Sequence, residues 1–291
     1  MNPKLIPWIF VWIWSTGFLA AKYGLPYAEP FTLLSYRFVF TLLLLFFIIN
    51  YKKSPWPSSK SEFFHLMIAG ALIHGAYLGG VFQALKWGIP AGLGAMIIGL
   101  QPLGMALMAG IMLKEKVSKK QWAGLTIGLV GLYLVLFDRL DLTTGLAFDG
   151  FPVWAVFAVI TSLVVISIGT IYQKRFCSNM DLISGTWVQY FSASIVCILV
   201  ALLFETGEVS WERTFILAMA WQVLALSIGA IFLLMTMIKQ GAAASVGSYF
   251  YLVAPLVAIQ AWFLFEETIG ISALAGVILI SFGVAITSSK K

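Results

Sequence analysis

The sequence predicts an all-α membrane protein of ten transmembrane helices arranged as two inverted five-helix repeats, and three observations carry that expectation. The first is composition: of 291 residues, 61% are hydrophobic and 10% charged, with a mean hydropathy of +0.97. A soluble domain carries roughly 45–50% apolar and about 25% charged residues, because its surface needs a polar coat. The second is the placement of the few charges, which fall between long apolar runs rather than within them. The third is a self-similarity between the two halves of the chain.

Each span needs about 20 mostly apolar residues, and the breaks fall where charges, Pro and Gly cluster. The first run covers about 5–23 and ends at Lys22. Leu19 stands where a signal peptidase needs a small residue, so this run is expected to be an uncleaved helix. The next covers 31–50 and stops at Lys52 and Lys53. A third, 63–85, ends at Lys86, and a fourth, 90–113, ends at the Lys114-Glu115-Lys116 cluster. The fifth, 120–137, is closed by Asp138 and Arg139. The sixth and seventh are 151–172, before Lys174 and Arg175, and 182–204, before Glu205. The last three are 214–238, 241–265 and 269–288. Loops between them are mostly shorter than a dozen residues, which leaves no room for a soluble domain.

With the N-terminus inside, thirteen Lys and Arg fall on the cytoplasmic side and four (Lys22, Lys86, Arg139 and Arg213) outside, Arg37 lying within a span. Most acids, among them Glu29, Glu205 and Glu267, fall outside. The positive-inside rule therefore predicts a multi-pass cell-membrane protein with both termini cytoplasmic. The excess of basic residues serves span ends and forms no stripe interleaved with aromatics, so no nucleic-acid role is expected. Cys177 and Cys197 cannot staple a fold of this size, and packing or a free thiol is their expected state.

At an offset of 152 residues Glu115 matches Glu267, Gly124 matches Gly276 and Gly131 matches Gly283, while Pro102 lies near the position of Pro255. The expected units are residues 1–140 and 150–291. Five spans per unit is an odd number, so the second copy enters from the opposite side and is inverted. Two such copies can exchange conformations about an axis in the membrane plane, which is the physical basis of alternating access.

The segment from Leu100-Gln101-Pro102-Leu103 to Lys114-Glu115-Lys116, followed by Trp122 and Gly124, resembles the EamA-like branch of the drug/metabolite transporter superfamily. The copy from Pro255 to Glu267, Gly276 and Gly283 repeats the pattern, and Arg37-Phe38 fits the Arg-Phe pair common in that family. The resemblance covers essentially the whole chain. It implies ten helices and the export or exchange of small metabolites, amino acids or drugs through a cavity formed mainly by helices 1, 3, 4, 6, 8 and 9. The residues that carry it belong to the scaffold and do not fix a substrate.

Pro102 and Pro255 remove a backbone donor and kink their helices, either for packing or for gating. Glycines 92, 94, 99, 104 and 110 let neighbouring backbones approach the fourth helix closely. Glu115 and Glu267 sit at the interface as solvated or locally paired loop ends. Arg37 lies about six residues from the outer end of its helix, where snorkelling suits anchoring or helix pairing better than substrate contact.

A substrate cavity needs polar chemistry near mid-bilayer. His74 is twelve residues before Lys86, about 18 Å from the helix end at a rise of ~1.5 Å per residue. Trp14 and Ser15 in the first helix, Gln101 in the fourth, Ser162 and Ser167 in the sixth, Ser227 in the eighth and Ser248 and Tyr249 in the ninth reach similar depth. His74 and Tyr77 share a face at three-residue spacing. The candidate substrate-binding residues are His74, Tyr77, Gln101, Trp14, Ser15, Ser162, Ser248 and Tyr249. A neutral His can instead cross-link helices, each Ser can bond its own preceding turn, and the rings can be packing aromatics or can stack on flat or cationic solutes. Gln83 and Gln260 lie nearer the outer ends, as exit-side residues at best.

No Asp or Glu falls deep in a span, which removes the usual carboxylate relay and leaves His74 as the one candidate for proton coupling. No metal set, paired acids or phosphate-binding glycine loop is present for an enzyme, and no cofactor is expected. The sequence thus points to a secondary transporter exporting a small metabolite such as an amino acid or related compound, whose partners are that solute and the bilayer. An importer, a facilitator or a non-transport accessory subunit remain as alternatives, and monomer and homodimer are not separated.

Overall fold

The computed structural model describes residues 5–113, 118–137, 140–141, 147–148, 150–239, 252–267 and 270–288. Ten helices run through these residues. They are α1 (Ile6–Gly24), α2 (Pro30–Lys52), α3 (Lys60–Lys86), α4 (91–113), α5 (Lys119–Phe137), α6 (Val153–Phe176), α7 (Leu182–Phe204), α8 (213–239), α9 (Val253–Phe265) and α10 (Ile271–Ser288). Seven of the described helices are long and apolar enough to cross a bilayer, and the described parts of α9 and α10 form two shorter apolar helices. Leu202, Leu203 and Phe204 are 72–80% exposed. An apolar outer coat of this kind belongs against lipid rather than water. The chain is an all-α membrane protein.

Local chemistry sets the helix starts. Pro30 opens α2, where its missing N–H costs nothing. Ser59 caps α3 by accepting from Glu62 N, while Glu62 accepts from Ser58 N, a reciprocal box. Asp181 caps α7 through the amides of Ile183 and Ser184. Between α5 and α6 lies a small antiparallel sheet, β1 (Leu140–Asp141), β2 (Ala147–Phe148) and β3 (Phe151–Pro152). The apolar pattern gave no sign of it.

Two departures from straight helices matter. The apolar run over 90–113 is continuous in sequence, yet α4 breaks into Ala91–Ile98 and Gln101–Leu113. Gly99 and Leu100 make the break, one turn ahead of the position where Pro102 lacks a donor. Both α3 and α8 carry π-helical stretches, Ala71–Ala76 and Trp221–Gly229. These wider turns fall at corresponding places of the two halves, since an offset of 152 carries 71–76 onto 223–228. Local π turns of this kind re-aim side chains and concentrate at functional positions.

The halves interlock by pairing α2 with α7, α4 with α9, α5 with α10, α3 with α6 and α1 with α8. The α5–α10 contact is a glycine seam. A Cβ on Gly131 would lie 2.6 Å from the Gly276 carbonyl, and one on Gly283 would strike the Gly124 carbonyl at 2.5 Å. An early residue of α5 thus meets a late one of α10 and the reverse, so the two helices are antiparallel. Likewise α2 begins where α7 ends: Glu205 accepts from the amides of Phe31 and Thr32 at 2.8 and 2.7 Å, and Glu29 accepts from Thr206.

Candidate functional site

Polar groups inside the bundle fall into three clusters. The first lies where α2, α3, α7 and α8 meet. Arg37 of α2 is 7% exposed, and its Nε donates to Ser227 Oγ of α8 at 3.1 Å. His74 sits in the π stretch of α3, its ring 4.6 Å from that of Tyr190 on α7 and edge-on to Phe38. Gln189 of α7 is 2% exposed and packs against Gly70 of α3, one turn before His74, and its Nε2 donates to Met180 Sδ at 3.5 Å. Tyr77 follows His74 by three residues in α3, just past the π stretch. Phe38 and Tyr190 stack at 5.4 Å. Arg37 therefore does not snorkel to the interface. It is enclosed because Phe38, Tyr190 and Ser227 close over it, although its role in helix pairing agrees with the sequence reading.

A second cluster joins α1, α8 and α9 around a cavity of about 680 Å³, lined by Trp12, Thr16, Tyr23, Trp221, Gln260 and Phe263 among others. Trp221 Nε1 donates to Thr16 Oγ1 at 2.7 Å. Ser15 Oγ lies 2.8 Å from the Trp12 carbonyl and 3.1 Å from Gln260 Oε1, and the side chain is fully buried. Trp14, expected at the site, is 36% exposed, and its ring packs on Phe10 one turn earlier at 5.3 Å. Gln260, expected from sequence as an exit-side residue at best, is part of this lining. Trp12, Thr16 and Trp221 were not singled out because nothing in a run of apolar residues says which tryptophan faces a groove.

The third cluster ties α4 and α3 to α6. Gln101 Nε2 donates to Thr170 Oγ1 at 3.2 Å. Ser162 and Ser167 donate to carbonyls four residues back and sit against Gly80 and Gly104, where a Cβ has no room. Ser248 and Tyr249 lie outside the described residues. Equal depth in the sequence thus did not mean a single ring of contacts: the described candidates belong to three helix junctions.

Near the end of the bundle where α1 stops, Glu267 joins three elements. It pairs with Lys22 Nζ at 2.7 Å and accepts from the amides of Ala91 and Gly92 at the start of α4. A carboxylate at a helix N-terminus satisfies orphan donors and opposes the helix dipole. Of the two expected interface acids, Glu115 lies outside the described residues. Among the described residues no cluster of His, Cys, Asp and Glu could hold a metal ion.

Comparison with known proteins gives this architecture a family. The model of the EamA-like transporter family matches residues 6–137 and again 153–289. The chain belongs to the EamA-like transporter family. It is 24% identical over 96% of its length to the uncharacterized transporter YvbV of Bacillus subtilis, of which the match covers 88%. It is also 24% identical over 85% of its length to the inner membrane transporter YedA of Escherichia coli, covering 77% of that protein. A protein of Salmonella typhimurium named a probable amino-acid metabolite efflux pump is 24% identical over 46% of this chain and 42% of the pump. A solved crystal structure shares the fold, with a TM-score of 0.64 at 19% identity over 98% of this chain and 96% of that one. This EamA-like chain is accordingly a membrane transporter by family.

Proposed function

We propose that the protein is a secondary transporter exporting small metabolites, such as amino acids or related compounds, by alternating access between two inverted five-helix repeats over 1–140 and 150–291. The observation that carries the reading is the double match of one family model to 6–137 and 153–289. The helix pairing supports the inversion: exchanging each helix with the one five places on turns the α3–α6 contact into α8–α1 and leaves α2–α7, α4–α9 and α5–α10 unchanged. The matched π stretches of α3 and α8 obey the same exchange. Export of amino-acid-like solutes is carried over from the printed name of the efflux-pump relative. Cytoplasmic termini follow from the basic residues at the Lys52 end of the bundle.

His74, Tyr77, Gln101, Trp14, Ser15, Ser162, Ser248 and Tyr249 remain the proposed solute-contacting set, with His74 the proton-coupling residue. The Lys22–Glu267–α4 junction is the closure that must open on one side. Flux into liposomes holding the purified protein tests the reading, screened over amino acids, nucleosides and cationic drugs with and without a pH gradient. Flux of at least one class is expected, and none under any condition would overturn it. His74→Ala is expected to abolish dependence on the pH gradient. Retained dependence in sealed vesicles would remove His74 from that role.

A further inference from the structure

Among the described residues Arg37 is a cation with more donors than partners. Its guanidinium carries five N–H groups, and among the described residues the Nε bond to Ser227 is its one hydrogen bond. The side chain is more than nine-tenths buried. Among the described residues its side chain contacts the Phe38 ring, 5.9 Å from the guanidinium carbon, and Ser227, and neither carries a carboxylate. The one ion pair among the described residues, Lys22–Glu267, lies elsewhere.

Helix pairing alone does not call for this charge. The repeat offset carries Arg37 to Gln189, and it carries the stacked Phe38 to Tyr190, its own partner across the α2–α7 contact. Gln189 occupies the matching position with a neutral amide, 2% exposed and packed against Gly70 of α3 where Arg37 reaches Ser227 on α8. The second half makes the same helix-to-helix link without burying a charge. A guanidinium within a membrane span is costly, and such groups usually mark a functional pathway. The unused donors form a planar fork that matches a carboxylate bidentately. Beside it the rings of Phe38, His74 and Tyr190 form an aromatic cluster, Phe38 stacked on Tyr190 and His74 edge-on to Phe38.

We propose that Arg37 is the anchor for the carboxylate of the transported solute, whose apolar body lies against Phe38, His74 and Tyr190. The proposal rests on the transporter reading and narrows it to solutes bearing a carboxylate. Cation-only solutes are then poor ligands, because they leave the guanidinium unpaired and add a like charge.

The test is thermal unfolding of the purified full chain in detergent, at constant ionic strength, titrated with benzoate, L-phenylalanine and L-phenylalaninamide. Benzoate and phenylalanine are expected to raise Tm saturably, and the amide is not. Arg37→Gln is expected to weaken the apparent Kd for both acids at least tenfold. Should that variant not fold, Ser227→Asp carries the test: it gives Arg37 a built-in carboxylate beside its existing bond, and the acid-dependent rise in Tm should disappear. No rise with either acid in the unaltered protein, an equal rise with the amide, or a full rise in either folded variant overturns the proposal. Liposome flux separates the two readings. Arg37-dependent binding without flux of either acid sinks transport of these acids while the anion site stands. Flux whose preference for acid over amide is unchanged in Arg37→Gln sinks the site while transport stands.

Discussion

The α5–α10 seam and the α2–α3–α7–α8 junction are both contacts between the two halves, yet they are built from opposite materials. In the seam, Gly124, Gly128, Gly131, Gly276 and Gly283 bring main chain against main chain, with no space for one additional carbon. At the junction, Arg37, Phe38, His74, Gln189, Tyr190 and Ser227 hold the helices through long polar and aromatic side chains. In lipid, where helices gain nothing by hiding apolar surface from one another, close packing and internal hydrogen bonds are the available adhesives. The seam uses the first and the junction the second. A contact made by backbones cannot readily hold a solute, whereas one made by rotatable side chains can exchange a partner for one.

Breaking the seam gives the largest expected effect. Gly276→Leu must drive four carbons into the Gly131 carbonyl and Val135, with no flexible side chain positioned to yield. Adding methylenes to a close-packed site costs typically ~1–3 kcal/mol, and a backbone collision lies at or above the top of that range. Loss of the monodisperse peak in size-exclusion chromatography of detergent extracts is expected. A Gly276→Leu protein as stable as the unaltered chain would show that α5 and α10 can part without consequence.

The two regions were not equally legible in the sequence. Gly124, Gly131, Gly276 and Gly283 stand out by offset as repeat equivalents, 124 with 276 and 131 with 283, while the seam contacts themselves run crosswise, Gly131 on Gly276 and Gly124 on Gly283. The span boundaries were legible because charges such as Lys52, Lys86 and Glu205 have few places to go in a bilayer. Depth alone could not say which polar side chains meet. Ser15 and Gln101 lie at similar depth in different helices, but one bonds Gln260 of α9 and the other Thr170 of α6. Rotation about the helix axis decides that, and nearly uniform apolar runs carry little rotational signal. The break in α4 and the π stretches of α3 and α8 shift the rotation further, and neither was legible.

Between seam and junction in expected size stands the Glu267 latch, which combines backbone amides with a charged side chain. Glu267→Ala leaves Lys22 without its ion-pair partner and removes the side-chain acceptor for the Ala91 and Gly92 amides. Removing one partner of a buried hydrogen bond costs about 1–3 kcal/mol, with the half-exposed lysine contributing little of it. A fall in Tm is expected, smaller than the seam disruption. Glu267→Gln, which keeps an acceptor oxygen, should recover part of it. Equal Tm for both variants would show that charge rather than amide capping holds the latch. Ser15→Ala is expected to cost less again, about 0.5–1.5 kcal/mol as for a single neutral hydrogen bond. It leaves Gln260 Oε1 facing the α1–α8–α9 cavity, and an unchanged Tm would place water on that oxygen instead.

The smallest effect is expected where charge meets solvent. Glu29 precedes α2 outside the span, and its Oε2 accepts from Thr206 Oγ1 at 2.8 Å and from Thr206 N at 2.6 Å. These bonds, the hydroxyl first, hold its carboxyl below the ordinary value of 4.5. A depressed acid stabilises the fold at every pH above its unfolded value, and that contribution disappears as pH falls through the folded one. Wild-type Tm should therefore drop on acidification below about pH 4.5 more steeply than that of Glu29→Gln, whose amide oxygen accepts at any pH. The group is only partly buried and lies outside the span, so the difference in slope should be slight and should shrink further in high salt. Parallel slopes would mean that the bond to Thr206 is exchanged freely for water, leaving Glu205 on the amides of Phe31 and Thr32 as the acid that fixes α2 against α7.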